Sequence, residues 1–233
     1  IMILAVMQPY LFPYIGYYQL AYHSDIFIFY DDVNYIKGGY INRNRIQTRN
    51  GPQLFTIPIV KSSSFKKINE LYFQEDIRKI LLSISQSYSK APYFSSVYPV
   101  IEKILTDKNR NVSNIASKSI IEVFRYLDID FKYNYSSKIH YNRNNDKNAK
   151  DKLIELCKIY KCDYYINSIG GKKLYKKEEF LSNRIFLNFI KPKEVVYQQF
   201  NNKNYEPNLS MIDILMNNSK NEVKKLLNEY ILD

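Results

Sequence analysis

Apolar and polar positions along this chain alternate between strand-like and helix-like spacing, and the switches mark its elements. Residues 3–7, ILAVM, form the short continuous apolar run of a buried strand. The stretch 8–13 cannot be helix interior, because Pro9 and Pro13 lack an N–H and restrict the residues before them. From Tyr14 the spacing turns helical. Ile15, Tyr18, Leu20, Ala21 and Tyr22 share a broad face, and Pro13 sits at the start, where proline is tolerated. Residues 25–30 are rich in Ile and Phe and predict a second buried strand. Strand, loop, helix, strand is a βαβ unit, so its strands are expected to be parallel with a right-handed crossover.

Downstream, 34–44 is a polar loop containing Gly38-Gly39. Residues 45–49 and 53–60 flank Asn50-Gly51, a hairpin signal. A Ser- and Lys-rich loop covers 61–67. Helical spacing dominates 70–128, broken near Pro92 and 107–111, with Ser113 as a cap. A third parallel-type strand is expected at 131–135, then a polar loop over 140–146. An amphipathic helix follows at 149–160, with Leu153, Leu156 and Cys157 on one face. Residues 163–167 predict a strand ended by Gly170-Gly171, and 184–189 predict the last one. The segments 209–216 and 221–231 read as helix. The pattern predicts an α/β fold with a mostly parallel, Rossmann-like sheet, helices on both faces, a β-hairpin insertion and a helical C-terminus. We expect one domain over 1–233, with 70–128 a mostly helical insertion.

Composition narrows the function classes. No apolar run approaches the roughly 20 residues of a membrane span. The run 1–7 has no basic flank, so it does not read as a signal peptide, and a cytoplasmic location is expected. Cys157 and Cys162, with only His23 and His140 as imidazoles, are too few soft ligands for structural zinc. Both thiols read as buried and reduced. No metal site is expected, and no cofactor is identified. The net charge is +11, which attracts polyanions such as nucleic acid or phosphorylated substrates. The same excess of lysine follows from the Lys-, Asn-, Ile- and Tyr-rich, Trp-free composition of an AT-rich genome. Charge alone therefore assigns no partner.

In an open α/β sheet, ligands bind beyond the carboxyl ends of the strands. The first strand ends at Gln8-Pro9-Tyr10 and the second at Asp31-Asp32, so these loops are expected to face one crevice. With Asp25, the pair are the only acids of residues 1–69, and Lys37, Arg43 and Arg45 follow them. One carboxylate suits a general base, and the cations suit phosphates. The plainer alternative is a carboxylate that caps a turn and pairs with Arg43. Tyr10 and Tyr14 are placed to stack on a base or sugar. Tyr14-Ile15-Gly16-Tyr17 resembles in position the H-x-G-H signature of nucleotidylyltransferases and class I aminoacyl-tRNA synthetases, with tyrosine at both histidines. A neutral phenol cannot supply imidazolium charge, so the position keeps nucleotide binding open without implying adenylyl transfer. Gly170-Gly171-Lys172 after a strand permits close backbone approach beside a cation. His140, in a polar loop, is a further acid–base candidate.

Three segments carry a resemblance: Gln8-Pro9-Tyr10-Leu11-Phe12-Pro13-Tyr14-Ile15-Gly16-Tyr17, then Phe29-Tyr30-Asp31-Asp32-Val33-Asn34-Tyr35-Ile36-Lys37, then Ile41-Asn42-Arg43-Asn44-Arg45. They are similar to hallmark segments of the WbqC-like protein family. Tyr165-Ile166-Asn167 with Gly170-Gly171-Lys172 and Leu174-Tyr175, and Pro207-Asn208-Leu209-Ser210-Met211-Ile212-Asp213, resemble its later segments, so the likeness runs over nearly the whole chain. Gly38-Gly39-Tyr40 departs from the bulkier basic or aromatic pattern expected there. Members resemble proteins encoded in bacterial surface-polysaccharide clusters, including O-antigen (lipopolysaccharide) clusters. The resemblance implies a transferase moving an acyl or aminoacyl group onto a nucleotide-linked amino sugar. Asp31, Asp32, Lys37 and His140 are then the expected catalytic set. Gln8, Pro9, Tyr10, Tyr14, Gly16, Asn34, Tyr35, Asn42, Arg43, Arg45, Gly170, Gly171 and Lys172 are the expected binding set. The partner is a nucleotide sugar or another phosphorylated small molecule, with tRNA as the polyanionic alternative. An ATP- or aminoacyl-tRNA-dependent amide-forming enzyme and a non-catalytic glycan-precursor binding protein remain open.

Overall fold

The computed structural model describes residues 1–144, 148–200 and 204–233. The βαβ start forms as expected. Strand β1 (Ile3–Met7), helix α1 (Ile15–His23) and strand β2 (Ile26–Phe29) follow one another, and β1 pairs parallel with β2. The hairpin β3 (Arg43–Thr48) and β4 (Gly51–Thr56) turns at Asn50-Gly51 and forms its own antiparallel sheet. Helices α2 (Arg78–Tyr88), α3 (Phe94–Leu105) and α4 (Val112–Tyr126) occupy the expected helical stretch. The cap of α4 is Asn111, which accepts from the Asn114 N–H. Ser113 has a different role, described below.

Strand β5 (Tyr133–Tyr135) adds parallel to β2. Then come α5 (Ala149–Ile159), β6 (Tyr164–Ser168), α6 (Lys177–Leu181), β7 (Phe186–Pro192), α7 (Met211–Asn217), α8 (Lys220–Leu226) and β8 (Tyr230–Leu232). The main sheet has the order β5-β2-β1-β6-β7-β8. All its neighbours are parallel except β7 and β8. Residues 221–231, expected to be helical, divide: α8 ends at Leu226, and the chain then adds the antiparallel edge strand β8. Of the loop expected at 140–146, residues 145 and 146 lie outside the described set.

Strand side chains alternate between two cores, as a pleated sheet requires. Ala5, Phe27, Phe29, Ile166 and Ile190 pack into the larger core with residues of α1, α2, α3, α4, α7 and α8. Leu4, Val6, Ile28, Tyr165 and Leu187 pack on the other face with residues of α5 and α6. The connection β1-α1-β2 moves one way along the sheet, and β5-α5-β6 moves back. Right-handed crossovers in opposite directions place their helices on opposite faces, which is the arrangement seen. The direction reverses between β1 and β6, so the topological switch point lies at the carboxyl ends of these two central strands.

Candidate functional site

Between β1 and α1 the proline-broken stretch 8–14 crosses the end of the sheet, and other elements hold it. Leu11 N–H donates to Tyr40 O at 3.1 Å, and Phe12 N–H donates to Ser119 Oγ at 2.8 Å. Ser210 Oγ donates to Phe12 O at 2.6 Å, and Met211 N–H donates to Pro13 O at 2.9 Å. Phe12 takes a left-handed φ of 41°, a conformation costly for a side chain with a Cβ. Its full burial and these bonds hold it there. Tyr17, on α1, reaches back to donate to Gln8 O at 2.8 Å. The loop is therefore a fixed wall.

On one side of this wall, the carboxyl ends of β1 and β6 open into a crevice of about 500 Å³. Gln8 and Tyr10 line it from the wall. Tyr30 enters from the end of β2, Asn167, Ser168, Gly170 and Gly171 from the end of β6, and Lys152 from α5. Tyr175 and Leu174 close the far side, and Leu174 with Ile36 gives the rim an exposed apolar character. Gly171 is required by packing: a Cβ there would lie 2.9 Å from the Asn167 side chain. Only a bare backbone lets Asn167 lie across the turn and face the crevice.

Tyr30 links this crevice to the aspartate pair. Its hydroxyl lies close to that of Tyr141 and to the Asp32 carboxylate. Tyr141 in turn donates to both Asp32 oxygens, at 2.9 and 3.0 Å. Burial, with the Asp32 charge beside it, pushes the Tyr30 phenol up to about 12, and burial raises Tyr141 as well. Both phenols are therefore neutral at pH 7 and act as hydrogen-bonding groups.

Asp31 and Asp32 themselves are buried and do not line the crevice. Asp31 accepts from Ser113 Oγ at 3.1 Å, Ser136 Oγ at 3.2 Å, Ser137 N–H at 3.0 Å and Ser137 Oγ at 2.9 Å. Asp32 accepts from Arg143 Nε at 2.6 Å, from Tyr141 and from Ser136 Oγ. The pair thus ties the end of β2 to α4, to the turn after β5 and to Arg143. The cation paired with the aspartates is Arg143. Arg43 instead donates to the carbonyls of Gly38 and Gly39, and Arg45 pairs with Glu206.

The other sequence-derived residues divide plainly. Gln8, Tyr10, Gly170 and Gly171 meet in the crevice. Pro9 is buried in the wall. Tyr14 faces neighbouring cavities, its ring lying over Gly16. Tyr35 donates to Asn42 at 3.1 Å, and Asn42 donates to Ile57 O at 3.0 Å, so this pair holds the hairpin base. Asn34, Lys37 and His140 are exposed away from the crevice lining. Lys172 pairs with Asp233. Both thiols are free and buried, and burial raises their pKa values. Sequence reasoning missed Tyr30, Lys152, Asn167, Ser168 and Tyr175 as lining residues. Tyr30, a phenol directly before paired acids at a strand end, and Asn167, a polar residue closing a buried strand, carried a local signal. Tyr175 lay in a segment of the family resemblance, and Lys152 carried no signal. Among the described residues, no group of three or more His, Cys, Asp or Glu is arranged to hold a metal ion, and no helix is long and apolar enough to cross a membrane.

Comparison with known proteins gives the family. A family model described as the WbqC-like protein family matches residues 8–225. A protein of Mycobacterium tuberculosis (strain ATCC 25618 / H37Rv), described as uncharacterized, is 26% identical over 220 residues, covering 91% of this chain and 92% of that one. No solved structure matches. The chain belongs to the WbqC-like protein family.

Proposed function

From this family membership and the crevice at the switch point, we propose that the protein is a transferase that binds the sugar of a nucleotide-linked amino sugar and acylates or aminoacylates its amine, in bacterial surface-polysaccharide biosynthesis. The observation that carries this reading is the crevice itself. It pairs tyrosine rings, which pack on the apolar faces of a sugar, with Gln8, Asn167 and Ser168, which exchange hydrogen bonds with hydroxyls. The bare backbone at Gly170-Gly171 lets a sugar ring approach closely, and the ammonium of Lys152 suits an anionic group at the same end.

In this reading Tyr30 is the group that meets the substrate. Asp32 lies behind it and holds Tyr141 beside the phenol. Asp31 and Arg143 hold that chain in place. The neutral amine attacks the acyl carbon of an activated ester or thioester donor. The amide C–N bond forms as the donor's C–O or C–S bond breaks, and the leaving alcohol or thiol departs with the amine's proton, Tyr30 hydrogen-bonding the reacting groups.

A second reading, a non-catalytic glycan-precursor binding protein, is favoured by one specific feature. Among the described residues, the crevice lining contains no carboxylate and no imidazole. Calorimetric titration with a UDP-linked amino sugar tests both readings at once when product is followed by mass spectrometry. Saturable binding with an acylated product supports the transferase, and saturable binding without product under every donor class supports the binding protein. No binding, or binding that Tyr30→Phe and Gly171→Val leave unchanged, overturns both.

A further inference from the structure

A second cavity, of about 400 Å³, lies on the opposite side of the wall formed by residues 8–14. It sits beyond the carboxyl end of β7, between the start of α1 and the segment leading into α7. Tyr14, Tyr197, Tyr205 and Asn208 line it, with Lys191 and Lys193 at the end of β7. A third space, of about 330 Å³, shares Tyr14 and Asn208 with this cavity and Tyr10 with the crevice.

The lining has a specific chemistry. The hydroxyl of Tyr197 donates to the buried carboxylate of Asp213 at 2.6 Å, and that of Tyr205 donates to Val195 O. The two rings meet edge to face, with centroids 5.6 Å apart. Their hydroxyls are thus engaged with protein acceptors, and what they offer to the cavity is aromatic surface. Asp213 is held from its other side by Tyr88, which donates at 2.7 Å, so Tyr197 is anchored to a buried group on α7. Asn208, held in the left-handed region at φ 57°, presents both a donor and an acceptor. Lys193 lies 3.1 Å from Glu229, and Lys191 interacts with the Asp233 carboxylate without closing to an ion pair. Glu194 is the one acid in the lining, against these two lysines.

We propose that this cavity binds a nucleoside phosphate moiety, the base stacking on the fixed tyrosine rings, its edge read by Asn208, and the phosphate near Lys191. The assignment does not depend on what the crevice binds. A nucleoside phosphate reaches this position from one of two sources. It is the nucleotide end of a sugar nucleotide whose sugar lies in the crevice, or it belongs to a separate activated donor.

The test is calorimetric titration of the full chain with UMP, with AMP and with a UDP-linked amino sugar. Variants are Tyr205→Ala and Lys191→Gln in the cavity and Gly171→Val in the crevice. We expect a nucleoside monophosphate to bind saturably and Tyr205→Ala to weaken it about tenfold. Lys191→Gln, an exposed change that leaves folding intact, is expected to weaken the monophosphate about threefold and the free nucleoside not at all. Gly171→Val is expected to leave monophosphate binding unchanged. Displacement of UMP by the sugar nucleotide identifies one ligand spanning both spaces, and binding beside UMP identifies a separate donor; either supports the assignment. The proposal is overturned if neither monophosphate binds at millimolar concentration, or if binding follows Gly171→Val and ignores both cavity variants. Loss of sugar binding with monophosphate binding intact counts against the crevice reading alone.

Discussion

The sharpest consequence of the structure concerns Asp31, because its neighbours give a chemical and a structural role different outcomes. Its carboxylate accepts four hydrogen bonds, from Ser113 Oγ, Ser136 Oγ, Ser137 N–H and Ser137 Oγ. In Asp31→Asn the carbonyl oxygen still accepts from Ser137 N–H, and the hydroxyls of Ser113 and Ser137 turn to accept from the new amide. All four bonds survive as neutral ones. Hydrogen bonds to a charged acceptor contribute roughly 1.5–3 kcal/mol against about 1 kcal/mol for neutral ones, so exchanging four costs about 2–8 kcal/mol before relief of carboxylate desolvation offsets much of it. We expect a net loss of about 2 kcal/mol. Asp31→Ala leaves Ser137 N–H and the hydroxyls of Ser113 and Ser137 without their acceptor, while Ser136 keeps Asp32, and is expected to cost about 3–5 kcal/mol. Urea unfolding followed by far-UV circular dichroism reads both. Ligand affinity of folded Asp31→Asn should stay within about threefold of wild type, because the side chain does not line the crevice. Unchanged stability together with abolished turnover would refute this reasoning and make Asp31 a catalytic residue.

Further expectations follow from the same geometry. Tyr30→Phe removes one hydroxyl from the crevice and is expected to weaken sugar binding about tenfold while costing about 1 kcal/mol of stability, measured by calorimetry and urea unfolding. Gly171→Ala brings a Cβ to 2.9 Å from the Asn167 side chain; displacing it is expected to cost about 1–3 kcal/mol and to weaken the same ligand. Asp213 has its pKa raised by burial, so the folded state holds its proton to higher pH than the unfolded state. Its contribution to stability is greatest below the ordinary carboxylate value and falls as pH rises towards the folded-state value. Urea midpoints of wild type and Asp213→Asn between acid and neutral pH should therefore shift relative to one another, with wild type losing ground as pH rises.

The parts of the fold that were legible in the sequence are those where one physical signal dominated. Pro9 and Pro13 forced the chain out of the sheet, and the apolar runs on either side became parallel neighbours. Asn50-Gly51 set the hairpin turn. The strand β8 was not legible, because three residues on an exposed edge carry little apolar pattern and pair only with a strand distant in sequence. The site shows the same division. Gln8, Tyr10 and Gly170-Gly171 lie in stretches whose backbone alone places them at strand ends. The partners of Asp31 and Asp32 come from α4, the turn after β5 and Arg143, all more than 80 positions away. Nothing local distinguishes a carboxylate that faces substrate from one that ties three elements together. Arg43 and Arg45 looked equally suited to phosphate, yet carbonyls and Glu206 take their charges.

The measurement that bears most directly on the central claim is titration of wild type and Gly171→Val with a UDP-linked amino sugar, with folding of both checked by circular dichroism. The account predicts saturable binding to wild type and its loss in folded Gly171→Val. Saturable binding of equal strength to both would contradict the placement of the sugar at the carboxyl ends of β1 and β6.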